Sequence, residues 1–486
     1  MIDATPHPDF DFQTAIKSAR TAQREWRSQP IGDRLKIVRN FRHFIAAEPT
    51  MLAAWCNRTN MVESLTAEVL PILDACRFLE KTAAKTLAGR KLSGKGRSSW
   101  LRGVDVELRR DPFGLVLVIA PSNYPLMLPG IQALQALIAG NAVMWKPAAG
   151  CSDAARWFRE FLIGTGLDEC LLLVLPEAID SVENTISCGV DKVILTGSAD
   201  TGRAIQQRLA DKLVPATMEL SGCDAMFVTA SADLDLAVKC LWLGLTMNSS
   251  RTCIAPRRVL VDQTVASQFK ERLASRLDGA GDLPSSDLQV GIDSAVDSGA
   301  HVLQLHQPTI LADVTPNMQI AQKDIFEPVT SVMTYGTIDE AIAMNDECPY
   351  ALGATIIGSG QSVDELADRI NAGCIVVNDM IVPTADPRVP FGGRKQSGFG
   401  VTRGTAGLEE MTQLKAIVRQ NSSWLPHLDE PTPLDEDVIT NLIQTLHSPS
   451  IFSRMTSSLR LAKAAMQQRK HRQETKSALP SGRGLG

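Results

Sequence analysis

Residues 114–147 read GLVLVIAPSNYPLMLPGIQALQALIAGNAVMWKP, and this stretch sets the fold class. The run LVLVIAP is apolar throughout and has no alternation, which is the pattern of a strand buried on both faces of a parallel sheet. Ser122-Asn123-Tyr124-Pro125 ends it, a helix is expected from about 128 to 139, and AVMWKP is a second buried strand. Strand, helix and strand in that order predict an α/β fold. Ligands of open parallel sheets bind beyond the carboxyl ends of the strands, and Asn123 and Lys146 both fall at such ends.

Toward the C-terminus the unit repeats, with a helix at 152–163, LLLVLP, a short helix, KVILTGS, and VPATMELS running to Glu219. Gly197-Ser198 and Gly202 give GSxxxG at a strand-to-helix turn, where backbone N–H groups can hold a pyrophosphate oxygen. No GxGxxG occurs in the chain. Toward the N-terminus, residues 13–27 place Ala15, Ala19, Ala22 and Trp26 on one helical face, and Asp33 opens a second helix carrying Leu35, Val38, Phe41 and Ile45. A helical region over 49–88 carries Glu68, read as a solvated or helix-pairing charge. Residues 104–110 alternate like one strand of a hairpin, a form that often adds to a partner's sheet.

Beyond Cys253 come RRVLVD, a helix at 264–277, an irregular region at 278–320, DIFEPVTSVMTY, a helix at 338–345, GATIIGS and GCIVVND. The glycine-rich PFGGRKQSGFG follows at 390–400, too dense in glycine for a packed element.

With 486 residues the chain is long enough for more than one core. Its 44% hydrophobic and 21% charged residues are ordinary globular values, and a net charge of −5 gives no reason to expect nucleic acid. Ten cysteines stand singly, without disulfide or zinc spacing, which predicts a reducing, cytoplasmic setting and no metal. The N-terminus MIDATPHPDFDF lacks the basic and apolar regions of a signal peptide, and no apolar run approaches a membrane span.

The chemistry concentrates between MELSGCD and MNSSRTCIAPRR. Glu219 and Cys253 pair a carboxylate base with a thiol nucleophile, and Arg251, two residues before the thiol, can favour its thiolate. Against this stands the ordinary reading of a free cysteine as a small buried hydrophobe. Asn123 offers two amide N–H donors for developing charge on oxygen, a contribution of about 2.7–4 kcal/mol at such sites, or else simply forms a turn. Lys146 can supply a cation for a ribose or phosphate, or else is a surface lysine. Asp324 and Phe326 place a ribose-binding acid beside an aromatic wall, or else a turn acid beside a core ring.

Taken in order, SNYPL, KP, TGSxxxG, ELSG, the Cys253 loop, DIFEPV and PFGGRKQSGFG resemble the NAD(P)-dependent aldehyde dehydrogenase superfamily, from about residue 13 to 416. The resemblance implies a Rossmann-type cofactor domain, an α/β catalytic domain and an oligomerisation hairpin. It assigns the cofactor domain to 1–98 and 112–218, the catalytic domain to 219–395, oligomerisation and return segments to 99–111 and 396–420, and a partly disordered helical tail to 421–486. It further implies oxidation of an aldehyde to a carboxylate with NAD or NADP, through a thiohemiacetal and a thioester on Cys253. Asn123 and the Cys253 backbone N–H match the oxyanion hole, and Glu219 matches the base that activates water. Lys146, Gly197, Ser198, Gly202, Asp324 and Phe326 match cofactor contacts. A homodimer or homotetramer is expected.

The pattern is broken in places. Ser122 replaces a tryptophan, Ser221 the second glycine of ELGG, and Ser250-Arg251 a Gly-Gln pair. Arg251 therefore stands where it can bind an anionic substrate or tune the thiol. Ala149 replaces a glutamate that prefers a ribose 2′-OH, Gln413 stands where many members carry a second glutamate, and residues 290–324 are shorter than usual. Acyl transfer to coenzyme A and a non-catalytic scaffold are the alternatives. In the tail, Phe452, Met455, Leu459, Ala462 and Met466 share a helical face near Arg454, Arg460 and Lys463. Packing on its own subunit is expected, with membrane-surface docking as the alternative, and the last dozen residues are expected to be disordered.

Overall fold

The computed structural model describes residues 10–56, 58, 60–277, 279, 281–423 and 425–478. The chain divides into two compact units, Met1–Arg90 with Leu108–Ala416, and Lys91–Glu107 with Ile417–Gly486.

The first unit holds two sheets. In one, five parallel strands stand in the spatial order Leu172–Val174, Ala142–Lys146, Leu115–Ile119, Lys192–Gly197 and Ala216–Leu220. Every residue of Leu115–Ile119 is buried, as its unbroken apolar run requires. The chain winds outward from this strand first to one side and then to the other. The crevice therefore opens between its carboxyl end and that of Lys192–Gly197. Gly398–Phe399, from the glycine-rich loop, closes the far edge antiparallel, with Gly398 opposite Glu219. Gly398 has φ +103°, and a Cβ there would lie 1.9 Å from the Met218 carbonyl oxygen, so only glycine fits.

The chain changes sheets between Leu220 and Asp224. The second sheet has seven strands in the order His301–Gln304, Thr309–Ala312, Val329–Tyr335, Pro256–Asp262, Asp224–Val228, Gly353–Ile357 and Cys374–Val377. All its pairs are parallel except the first.

Several expectations change. The segment expected to be irregular at 278–320 contains a helix, Ser286–Asp297, and two strands, whose Leu288, Ile292 and Leu311 share a small core with Val329 and Met333. Ser285 caps that helix by accepting from the Leu288 N–H. The region 49–88 is not one helix: short turns at Thr50–Ala53 and Met61–Ser64 lead through a π-helical turn, Leu65–Val69, into Leu70–Thr86. In the first helix, Phe12–Ser28, the buried face centres on Ile16, Ala19, Gln23 and Trp26, with Ala15 and Ala22 at its margins.

Glu68 is neither solvated nor a surface partner. It is fully buried on the π-helical turn, where it accepts from Arg58 at 2.6 Å and from the Met127 N–H at 2.6 Å. The helix Met127–Ala139 has Leu126 at its N-cap, which offers no acceptor, so this distant carboxylate caps it.

The second unit contributes to a three-stranded sheet of Arg90–Lys91, Val104–Pro112 and Thr412–Gln420 and holds two helices, Pro433–His447 and Ile451–Ala478. Thr432 and Asp435 form a capping box on the first of these. The second helix pairs with the first through small and polar residues. Ser457 donates to Gln444 at 2.9 Å, Gln468 bonds to Asp435, and Ala464 is buried between them. Positions two residues apart lie about 200° round a helix, so Phe452, Met455, Leu459 and Met466 point away from this seam and are 65–78% exposed. The face expected to pack is thus the outward one. The helix runs to Ala478, and residues 479–486, where disorder was expected, lie outside the described residues.

Candidate active site

Cys253 sits on a loop that no regular element explains. Asn248, Ser249 and Ser250 before it all have φ between +51° and +60°, a conformation costing about 1–3 kcal/mol per non-glycine residue. Buried contacts hold it. Arg257, 3% exposed at the start of the following strand, donates to the Ser250 hydroxyl and carbonyl, both at 2.6 Å, and to the Glu327 carbonyl at 2.8 Å.

From the other side the turn after Leu115–Ile119 is stitched to the same loop. Asn123 Nδ2 donates to the Arg251 carbonyl at 2.8 Å, Asn248 Nδ2 donates to the Asn123 carbonyl at 3.0 Å, and the Tyr124 hydroxyl meets Thr252 Oγ1 at 3.0 Å. One N–H of Asn123 is thereby fixed, which orients the second.

Two cavities meet at the cysteine. One, of about 230 Å³, lies in the crevice between the strands and is lined by Pro121, Ser122, Asn123, Thr196, Gly197, Ser198, Asp324 and Phe326. The other, of about 90 Å³, runs between mainly apolar walls such as Tyr124, Met127, Met247, Ile381 and Phe391. Leu128, Glu219 and Cys253 line both.

Glu219 is 2% exposed, and its Oε2 accepts from Thr402 Oγ1 at 2.8 Å. Burial pushes its carboxyl above the usual range, opposed by Arg403 and then by the Thr402 hydrogen bond. Burial likewise pushes the Cys253 thiol far up, reinforced by Glu219 and Asp224 and opposed by Arg403. A thiol shifted in that direction needs a base before it can attack.

Arg251 is not the cation at this centre. Its side chain is exposed and lines neither cavity, and what it contributes is its backbone carbonyl. The cation facing Cys253 and Glu219 is Arg403, 5% exposed, with its guanidinium 4.4 Å from the Phe391 ring centroid. Nothing in the sequence singles out Arg403 or Thr402, because their roles depend on chain returning from far away.

On the crevice side, Gly197, Ser198, Asp324 and Phe326 line one cavity. Ser198 caps the helix Ala199–Ala210 by accepting from the Thr201 N–H, leaving first-turn N–H groups for an anion. Asp324 bonds the Ser221 hydroxyl through Oδ2, and its Oδ1 is buried without a protein partner, so an acceptor remains for a ligand hydroxyl. Phe326 is 37% exposed.

Gly202 and Lys146 stand apart from the crevice. The Gly202 N–H is used within the helix, on the Ser198 carbonyl at 2.9 Å, and a Cβ there would lie 2.7 Å from Leu220, so this glycine serves close helix-to-strand packing. Lys146 ends the next strand outward, 9% exposed and close to Glu177, and does not line the crevice. Among the described residues there is no cluster suited to a metal ion and no helix long and apolar enough to cross a membrane.

The family model described as the aldehyde dehydrogenase family matches residues 7–302 and 285–417. The chain is 30% identical over 448 residues to a benzaldehyde dehydrogenase [NAD(+)] of Pseudomonas putida, covering 87% of this chain and 89% of the relative. It is 29% identical over 453 residues to a protein of Mycolicibacterium smegmatis named for succinate-semialdehyde dehydrogenase [NADP(+)] activity, covering 87% and 86%. A solved betaine aldehyde dehydrogenase variant from Staphylococcus aureus, in complex with NAD+, superimposes with a TM-score of 0.78 at 24% identity, covering 87% of this chain and 91% of that one.

Proposed function

We propose a division of labour for this chain, which belongs to the aldehyde dehydrogenase family: Cys253 attacks the aldehyde, Asn123 stabilises the resulting oxyanion, and Glu219 takes the protons. The chain oxidises an aldehyde to a carboxylate with NAD or NADP. The observation that carries the assignment is the shared wall, where sulfur and carboxyl both face a polar crevice on one side and an apolar cavity on the other.

The crevice fits the cofactor. The capped helix start at Ser198 suits a pyrophosphate, the free Oδ1 of Asp324 a ribose hydroxyl, and Phe326 a nicotinamide face. Bound there, NAD or NADP supplies the hydride acceptor. The chain's own residues do the rest. Glu219, beside the thiol, accepts its proton. The sulfur bonds to the carbonyl carbon, and the free N–H of Asn123 meets the oxygen as it becomes negative. After hydride loss the acyl group remains on sulfur as a thioester. Once that first proton has passed to solvent, Glu219 takes a proton from water, whose oxygen attacks the acyl carbon as the C–S bond breaks. The apolar cavity is the aldehyde's binding site on this reading.

The test is direct. Cys253→Ala is expected to abolish turnover while binding NADH or NADPH as before, measured by fluorescence titration. Turnover surviving in that variant would remove the nucleophile assignment.

Oligomerisation is assigned to the three-stranded sheet, whose outer strand Thr412–Gln420 exposes Leu414 and Val418. A cytoplasmic location is consistent with ten free cysteines. The helix Ile451–Ala478 is assigned to an anionic lipid surface. Its outward apolar residues lie on a segment with seven Lys and Arg against one Glu, within a chain of net charge −5.

A further inference from the structure

We propose that Arg403 is a positioning residue for deacylation: together with Glu219 Oε1, it holds the water that cleaves the Cys253 thioester. The inference rests on the reading of Glu219 as the base and extends it to a second residue.

Two buried polar atoms of residues lining the apolar cavity have no protein partner, Oε1 of Glu219 and Nε of Arg403. One is an acceptor and the other a donor, and both residues line the cavity that reaches Cys253. Each group is otherwise anchored. Glu219 Oε2 is held by Thr402, Arg403 Nη1 donates to the Thr384 carbonyl at 2.7 Å, and the guanidinium plane rests on Phe391. Buried polar groups left open in this way are normally satisfied by water, and a cavity with partners of both kinds suits one.

A water there accepts from Nε–H, donates one O–H to Oε1, and keeps a lone pair for the acyl carbon. On attack the C–O bond forms, the C–S bond breaks, the water's proton passes to Glu219, and the electron pair of the broken bond stays on sulfur. Thr402 and Arg403 are consecutive, so one short segment fixes one carboxylate oxygen and brings a cation to the same cavity. The charged or titratable groups facing Glu219 are Arg403 and the Cys253 thiol. Asp324 lines the crevice from its far side, and Asp224 lies beyond the cysteine. Arg403 is therefore the one cation in this set, and it opposes the upward push of burial on the base.

Rapid-mixing kinetics of Arg403→Met, Arg403→Lys and Glu219→Gln separate the outcomes, because the NADH or NADPH burst reports acylation and its amplitude counts folded sites. Arg403→Met is expected to keep the burst, lose at least about tenfold in steady-state turnover, and move the acid limb of kcat to higher pH. Arg403→Lys retains the charge but not the Nε–H geometry, so its limb should stay in place while turnover falls several-fold. If Arg403→Met slows burst and turnover alike with an unmoved limb, Arg403 merely shapes the cavity and the inference fails. Should the methionine variant not fold, Arg403→Lys with unchanged turnover overturns it equally. Glu219→Gln is expected to slow the burst and lose turnover, because the carboxylate serves both steps. If either survives intact, the base assignment for that step is wrong, whereas the expected glutamine result beside an unaffected Arg403→Met defeats only the role given to the arginine.

Discussion

Thr402 donates its hydroxyl to Oε2 of Glu219 over 2.8 Å, from a residue 183 positions further along the chain. That bond lowers the carboxyl against the upward push of burial, so the base form disappears as pH falls through a value already above the ordinary carboxylate range. Thr402→Val removes the donor at nearly constant volume. Its acid limb of kcat should therefore lie at higher pH than that of the wild type, with activity regained on raising the pH. An unmoved limb in a pH–rate profile would show that the hydroxyl does not act on the base.

On the proposed mechanism Asn123 has two tasks, because one N–H secures the Arg251 carbonyl and the other meets the substrate oxygen. Asn123→Ala is expected to lower kcat/KM by about 10²–10³. Asn248→Ala releases a bond to the same carbonyl, longer at 3.2 Å, without touching the oxyanion. A loss of equal size in both variants would reduce Asn123 to a loop tether.

Arg257 holds a loop whose three left-handed residues would otherwise relax. Arg257→Met keeps the bulk of the buried side chain and removes the donors. Acylation should fall by well over about tenfold while NADH or NADPH affinity changes little, since the crevice is built from other segments. Equal weakening of cofactor binding in a fluorescence titration would contradict this.

The outward face of Ile451–Ala478 predicts sedimentation with phosphatidylglycerol vesicles but not phosphatidylcholine vesicles, weakened by salt. Phe452→Glu with Leu459→Glu should abolish it and leave aldehyde oxidation unchanged. If instead the wild-type chain ignores vesicles and the double variant loses a subunit contact by light scattering, a second copy covers this face.

Legibility in the sequence followed the range of the forces involved. Leu115–Ile119 and Ala142–Lys146 announce themselves because burial on both faces leaves a local apolar run, and Ser198 marks a helix start from within its own turn. Residues 286–312 were unreadable for the opposite reason. Their helix and first strand are short and half-exposed, the second strand is only four residues long, and the small core they share includes Val329 and Met333, further along the chain. Glu68 looked like a surface charge because Arg58 lies ten residues away across a turn and Met127 much further. Arg403 was likewise hidden, while nearness in sequence gave Arg251 a part that its exposed side chain does not play.

The wall shared by the two cavities has a consequence for traffic through the enzyme. Since Leu128, Glu219 and Cys253 are the lining residues common to both chambers, the proposed placing of dinucleotide in one and aldehyde in the other lets the spent dinucleotide depart by one door while the acyl passenger stays seated behind the other. A bulky aldehyde therefore lengthens no queue at the nucleotide's exit, and the two halves of the turnover can be tuned by mutation independently.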